Sequence, residues 1–293
     1  MVVLGFEDYR NQSQNLAKAL GCAYLEPAIR QFPDEETLIK LPPVNADHVV
    51  VCRSLNRPNH KLIELFLIAK TLRAQGIKHI TLICPYLCYM RQDTQNEPGE
   101  VVSQKIIGQW LAELFDDVIT VDPHLHRISR LAEAIPLKNA LSLSASELMA
   151  SHVAKQLKDA ILFGPDEESE QWVSTAAQHA GLSYAVGKKV RHGDTEVSIE
   201  LPDYDFRSKT IIIMDDVAST GRTITQAAKL LRKAGAGDVF CLITHALFSG
   251  DAEQHLLENG ITQIWSTDSI SHKSNVVALS DLLLVAIRNI QNT

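Results

Sequence analysis

The sequence predicts an α/β protein of two tandem domains, each a mostly parallel sheet flanked by helices. Three observations carry that expectation. Short apolar runs of strand length alternate with longer stretches of helical period, the pattern of repeated strand-helix-strand units. Two stretches look like copies: AKTLRAQG at 69–76 lines up with AKLLRKAG at 228–235, and an apolar strand follows in both, HITLICPY and DVFCLITH. Finally, Ile211-Ile212-Ile213-Met214 is an apolar run that ends on Asp215 and Asp216 and leads through a hydroxyl-rich turn into an amphipathic helix. Such a short run reads as a strand buried on both faces, as in a parallel sheet. A duplication puts the boundary near 138–145, giving domains 1–142 and 143–293.

In the first domain, 1–6 reads as a strand and 11–20 as a helix. Residues 23–29 and 36–41 form a hairpin-like pair around Phe32-Pro33-Asp34. A buried strand at 48–52 precedes a long helix that Pro58 opens and Gly76 ends, with Leu62, Leu65, Phe66, Ala69 and Leu72 near one face. A strand at 79–84, a helix at 100–115 and a strand at 118–121 complete the series. In the second domain, 144–157 is a helix with Ser144 and Glu147 spaced as a capping box. A strand at 160–163, a helix at 167–180 and a polar hairpin or flap from 184–190 and 196–201 follow. After the strand at 211–214 and its helix come a strand at 239–244, a short helix near 252–259 and a closing helix from about 280 to 290.

Composition narrows the function. There are 28 Lys and Arg against 35 Asp and Glu, a formal charge of −7 with no basic tail, so nucleic acid is not an expected partner. The first ten residues, MVVLGFEDYR, do not read as a signal peptide, and no apolar run reaches membrane-spanning length. The five cysteines include no C-x-x-C pair, which points to reduced thiols in a cytoplasmic protein and away from a zinc site or a disulfide framework.

The stretch TIIIMDDVASTGRT, 210–223, carries the chemistry. Asp215 and Asp216 sit at a strand's carboxyl end, where open α/β sheets bind ligands. Backbone N–H groups at the following helix start attract an anion, and hydroxyls of Ser219, Thr220 and Thr223 add donors. The acids repel phosphate, but accept hydrogen bonds from vicinal sugar hydroxyls or hold a cation. One end therefore suits hydroxyls or metal and the other phosphate, as in a ribose 5-phosphate.

DDVASTGRT resembles the phosphoribosyl diphosphate (PRPP) motif shared by type I phosphoribosyltransferases and ribose-phosphate diphosphokinases, the PRPP synthases. Other stretches favour the synthases. PYLCYMRQD, with Arg91, Gln92 and Asp93, resembles their ATP-binding segment, and the following PGEVVSQK is similar to that of the shorter archaeal-type members. QFPDEE resembles a second ATP element and maps Phe32 to the adenine face and Asp34 and Glu36 to ribose and base, often across a subunit boundary. VDPH resembles the V-D-x-H segment, so His124 inherits a place at the Mg-ATP site. FGPD matches the segment that makes Asp166 a magnesium ligand, and KKVR places Lys189 and Arg191 on the family's mobile loop. The resemblance departs at Glu167-Glu168, where two glycines are usual, and at Ser219 and Arg222, where Asp and Gly are common.

The resemblance implies two phosphoribosyltransferase-like domains, the first for ATP and the second for ribose 5-phosphate, with Mg2+ as cofactor and self-association into a dimer or larger assembly. It implies that Asp215, Asp216 and 219–223, with Gly221 and Arg222, hold ribose 5-phosphate, that Lys189 and Arg191 are catalytic, and that His124 and Asp166 serve the metal. The alternatives are a nucleobase phosphoribosyltransferase, a non-catalytic regulatory homologue, and a variant that uses another ribose 5-phosphate ester.

Overall fold

Strands in which every residue is apolar are satisfied only in a sheet covered on both faces. The computed structural model describes residues 1–192 and 196–291, apart from the side chains of 191, 192, 196 and 197, and contains two such sheets. The chain divides into two units. The first comprises Met1–Leu143, Ser269–Ser271 and the stretch from Leu279 onward; the second comprises Ser144–Asp268 and His272–Ala278.

The first unit runs β1 (Val2–Leu4), α1 (Arg10–Leu20), β2 (Ala23–Leu25), β3 (Ala28–Gln31), β4 (Thr37–Lys40), β5 (His48–Cys52), α2 (Pro58–Ala74), β6 (His79–Ile83), α3 (Ser103–Leu114), β7 (Asp117–Val121) and β8 (Asn139–Leu143). Its sheet has the order β2-β1-β5-β6-β7-β8, all parallel, and β3 and β4 form a separate antiparallel hairpin. The second unit runs α4 (Ser146–Gln156), β9 (Ala160–Gly164), α5 (Glu170–Ala180), β10 (Ser183–Val186), β11 (Lys188–His192), β12 (Glu196–Glu200), β13 (Thr210–Ala218), α6 (Arg222–Lys233), β14 (Val239–Ala246), α7 (Ala252–Glu258), β15 (Gln263–Thr267) and β16 (Asn275–Val277). Its parallel sheet has the order β10-β9-β13-β14-β15-β16, with β11 and β12 as the separate hairpin.

The two strand orders are the same once β1 is matched to β9, β5 to β13 and so on. The repeated AKTLRAQG and AKLLRKAG stretches lie in matched places, across the ends of α2 and α6. The last helix, α8 (Ser280–Gln291), follows the second sheet but packs on α1 and β8 of the first unit, just as α4 packs on α5 and β16 of the second. Each sheet is thus finished by the helix that follows the other sheet's last strand. A single cut at 142/143 misses this return of the chain.

Several boundaries differ from the sequence reading for local reasons. Residues 23–29 are not one strand: β2 joins the sheet beside β1, and the chain re-forms as β3 after Glu26-Pro27. Residues 184–190 break at Gly187 in the same way, β10 pairing with β9 and β11 with β12. Gly187 sits where an added Cβ would lie 2.9 Å from Ile199 Cγ2 and 3.0 Å from the Pro165 carbonyl oxygen. The helix expected from 100 begins at Ser103, because the Glu100 carboxylate accepts the Asn96 and Glu97 N–H groups and stays in the loop. No capping box forms on α4, whose N-cap is Ala145 without a side-chain bond; Ser144 Oγ accepts the Ser146 N–H instead. All five cysteines are free, four of them buried.

Gly108, inside α3, tests how closely the first core is packed. Alanine there gains about 1 kcal/mol of helix propensity, but its Cβ would lie 1.9 Å from the Ala134 carbonyl oxygen, a backbone atom that cannot swing away. Gly108→Ala is expected to lower unfolding stability by about 1–3 kcal/mol, read from the urea midpoint. A raised midpoint would contradict the packing.

Candidate active site

The sequence reading ended the central strand of the second sheet at Met214. In the structure β13 continues through both acids to Ala218, because its pairing with β14 continues: Asp215 lies opposite Ile243 and Val217 opposite His245. Asp215 and Asp216 therefore stand within the last turns of pleat at the sheet's carboxyl edge. Asp166 lies just beyond β9, the neighbouring strand. Burial pushes the Asp215 carboxyl well above the usual carboxylate range, and the charges of Asp216 and Asp166 push it further. Burial also raises Asp166; Lys189 opposes that rise, while Glu168 and Asp216 add to it. The buried Cys241 thiol is raised by burial and by Asp215. Three carboxylates thus share a poorly solvated edge, an arrangement that calls for positive charge.

One cation is in place. Lys189 Nζ, on β11, lies 3.8 Å from Asp166 Oδ2. Lys189 is paired across the hairpin with Ile199, which is buried against Phe163 and Phe206. The anchoring of Ile199 sets the register that brings Lys189 to the acids. Arg191 belongs to the same strand, but its side chain lies outside the described residues. The Glu167-Glu168 departure forms one turn of 3-10 helix, capped by Asp166, whose side chain accepts the Ser169 N–H. Gly164 remains necessary: a Cβ there would meet Ser169 Oγ at 2.2 Å.

Beyond β13 the turn Ser219-Thr220-Gly221 leads into α6. Gly221 is left-handed, with φ of 69°, and no side chain caps the helix. The first N–H groups of α6 thus face the turn without a side-chain acceptor, the condition under which a helix start takes an anion. Arg222 is exposed and Thr223 half-buried. The sequence reading gave Phe248 and Ser249 no part in the site. They brace the turn: their N–H groups donate to the carbonyls of Ala218 and Ser219, both at 2.9 Å. The signal was the T-H-x-x-F-S-G stretch at 244–250, which begins inside the neighbouring strand β14 and runs into the loop after it.

In the first unit the matched strand-to-helix loop, β5 to α2, is filled by its own charges. Arg53 pairs with Glu64, both buried, and with Asp8 at 3.1 Å. Lys61 reaches Asp8 at 2.6 Å and the Ser54 carbonyl at 2.8 Å. The nucleotide segments predicted from sequence lie on the next two strands. After β6, Arg91 is exposed, Gln92 donates to the Thr94 carbonyl at 3.1 Å, and Asp93 takes an ion pair from Arg127 at 2.5 Å. After β7, the His124 ring meets His126 edge-on at 4.2 Å between centroids. The Asp93–Arg127 pair therefore brings the segments at 91–93 and 124–127 together. Buried Gln104 ties the first of them to α3, its side-chain amide donating to the Met90 carbonyl at 3.1 Å. Phe32, Asp34 and Glu36 occupy the exposed tip of the β3–β4 hairpin, where the Arg30 guanidinium stacks 4.9 Å from the Phe32 ring centre. Among the described residues their contacts stay within the hairpin, and no three His, Cys, Asp or Glu side chains form a metal cluster.

Two matched parallel sheets, one of them ending in this charged edge, define an α/β protein of two like units. Comparison with known proteins makes that specific. Residues 1–114 match the model of the N-terminal domain of ribose phosphate pyrophosphokinase, and 202–293 match the phosphoribosyl synthetase-associated domain. The chain is 30% identical to a ribose-phosphate pyrophosphokinase of Sulfurisphaera tokodaii, covering 99% of this chain and 100% of that one. It is 29% identical to that of Methanopyrus kandleri, over 99% of each. Its fold is that of a phosphoribosylpyrophosphate synthetase from Mycobacterium smegmatis, with a TM-score of 0.82 over 99% of both chains at 23% identity. The chain belongs to the ribose-phosphate pyrophosphokinase family.

The raised Asp215 carboxyl has a measurable consequence. An acid held above its unfolded-state value loses folding stability as pH rises from that value, near 3.8, through the folded one. Asp215→Asn removes the loss. In chelator at pH 8 it is expected to raise the melting temperature by about 3 °C, the shift given by roughly 1 kcal/mol in a chain of this size. The gain should vanish near pH 3, where the carboxyl is protonated folded and unfolded. An unchanged or lower melting temperature at pH 8 would contradict the electrostatic reading.

Proposed function

We propose that this chain is a ribose-phosphate diphosphokinase that transfers the β,γ-diphosphoryl group of Mg-ATP to the C1 hydroxyl of ribose 5-phosphate, giving PRPP and AMP. The observation that carries the reading is the single strand-to-helix unit in which paired acids, Asp215 and Asp216, stand directly before an uncapped helix start. It offers acceptors for ribose hydroxyls and donors for a 5-phosphate in one continuous stretch. Residues 219–223 hold the phosphate, and the two acids hold the ribose hydroxyls.

The hydroxyl oxygen on C1 forms a bond to the β-phosphorus as the bond from that phosphorus to the α,β-bridging oxygen breaks. AMP leaves with the electron pair, and the hydroxyl proton passes to water or a phosphate oxygen. No side chain is assigned as general base, since phosphoryl transfer rests mainly on positioning and charge. Lys189 and Arg191 supply cationic donors to the moving group and to departing AMP. Arg91, Gln92, Asp93 and His124 bind the nucleotide, with Phe32, Asp34 and Glu36 completing its adenine and ribose contacts from a neighbouring chain.

The residues fit Mg2+. Asp166 and the Asp215–Asp216 pair are hard oxygen donors whose shared burial leaves negative charge to be neutralised. A cation there would take one or two carboxylates and complete its shell with water and substrate phosphate. When bound, the ion neutralises charge on the transferring phosphates. Asp166 would hold the ion on the second unit, and the resemblance assigns His124, on the first, to the metal of the nucleotide.

Two features speak against the competing readings. A nucleobase phosphoribosyltransferase has no use for the converging 91–93 and 124–127 segments, and a silent homologue has no use for a Lys189 held at the acids. The reading includes a cytoplasmic location and a self-associated state; the exposed Ile29, Phe32 and Leu38 of the β3–β4 hairpin support the self-association.

Wild-type protein with Mg-ATP and ribose 5-phosphate is expected to release AMP. Lys189→Ala should lower kcat by roughly 10²–10³-fold, the scale of removing one oriented charge donor. Release of ADP, or an unchanged rate in the variant, would contradict the assignment.

A further inference from the structure

We propose that Arg127 is a positioning residue for the nucleotide subsite: it holds the buried carboxylate of Asp93 and thereby locks the 91–93 segment to the loop that carries His124. The inference rests on the reading of 91–93 as nucleotide-binding, and it adds a residue that neither the motifs nor the family resemblance marked.

The geometry is asymmetric in an informative way. The Asp93 side chain is 3% exposed, while that of Arg127 is 61% exposed. Arg127 Nη1 donates to Asp93 Oδ1 at 2.5 Å, and Asp93 Oδ2 is buried with no hydrogen-bond partner among the described residues. A buried carboxylate with one charged partner depends on it heavily, because removing the partner leaves an uncompensated charge in a poorly solvated place. Arg127 gains little for itself. Its side chain stands mostly in water, so it is not a core residue, and ordering it costs rotamer freedom. Its described polar contact is this one. An exposed arginine spent on a buried acid points to the acid's placement as the purpose.

Asp93 Oδ2 is closed off from solvent, so the carboxylate works through its ion pair with Arg127: it fixes the position of its own segment. The segment is fixed at both ends: Gln104 holds the Met90 carbonyl at 3.1 Å and donates its own N–H to the Gln92 carbonyl at 3.2 Å, and Arg127 holds Asp93. Arg91 and Gln92, the side chains between, are thereby presented on a restrained backbone. Losing Arg127 frees one of the two ends and should act on the nucleotide alone.

The test is titration calorimetry with Mg2+ and a non-hydrolysable ATP analogue, alongside steady-state kinetics and thermal melts. Arg127→Ala is expected to weaken analogue binding about tenfold, and to leave the KM for ribose 5-phosphate within about twofold. Arg127→Lys, which keeps the charge, should recover part of the affinity. In the Asp93→Asn background, Arg127→Ala should add no further loss, since the charge it answers is gone. Analogue affinity unchanged in Arg127→Ala overturns the proposal while leaving the proposed reaction intact. Equal loss for both substrates with a lowered melting temperature also overturns it, showing a structural staple only. Wild-type protein that binds no analogue overturns the proposal and the nucleotide reading together.

Discussion

Negative charge gathered at the end of a hydrophobic strand is the constraint from which the site follows. Asp215 is carried into the sheet's carboxyl edge by a strand that is apolar from Ile211 to Met214, and Asp216 and Asp166 stand beside it. Burial raises the Asp215 carboxyl above its ordinary range, and the charges of Asp216 and Asp166 raise it further. Such an arrangement is unfavourable for stability and persists where cations or hydroxyl donors complete it. Lys189 supplies one cation from the β11–β12 hairpin. The uncapped start of α6 supplies a field of the opposite sign directly downstream. Acids able to accept hydrogen bonds or hold a cation thus stand directly before a helix start able to take an anion, and the separation between them is set by the chain itself.

The two units show one frame used in two ways. Both place a hairpin after the second strand and a helix after the central one. In the second unit the strand-to-helix loop is left open and acidic. In the first it is closed by Arg53, Glu64, Lys61 and Asp8, whose ion pairs satisfy one another. The loops after the next two strands, β6 and β7, instead meet through Asp93 and Arg127. The exchange of closing helices, α4 onto α5 and α8 onto α1, makes the units interdependent in sequence although each has its own core.

Much of this was legible in the sequence because doubly buried strands announce themselves. The runs at 49–52, 160–164 and 211–214 have no polar position to confuse with another element. The edge strands β2, β8, β10 and β16 are partly exposed and mixed in composition, so their membership of a sheet depends on neighbours that a single sequence does not display. The extension of β13 past its acids was hidden for the same reason: it is decided by pairing with β14, and two aspartates look like a strand's end. The stretch at 215–223 stood out through residue type and spacing, whereas those at 91–93 and 124 were marked by the family resemblance. Arg127 did not stand out, because its partner is 34 positions away and nothing local marks it. Phe248 and Ser249 were visible as a pattern, but their role as braces is a matter of backbone hydrogen bonds, which any residue type supplies.

The central claim is that a diphosphoryl group moves as one piece from nucleotide to sugar. Phosphorus NMR of a reaction containing Mg-ATP and ribose 5-phosphate reads it directly. The account predicts loss of all three ATP signals, with AMP and a new diphosphate attached at the sugar's C1 appearing in equal amounts. Formation of ADP with a singly phosphorylated new position on the sugar, or ATP that persists unchanged beside ribose 5-phosphate, would contradict it.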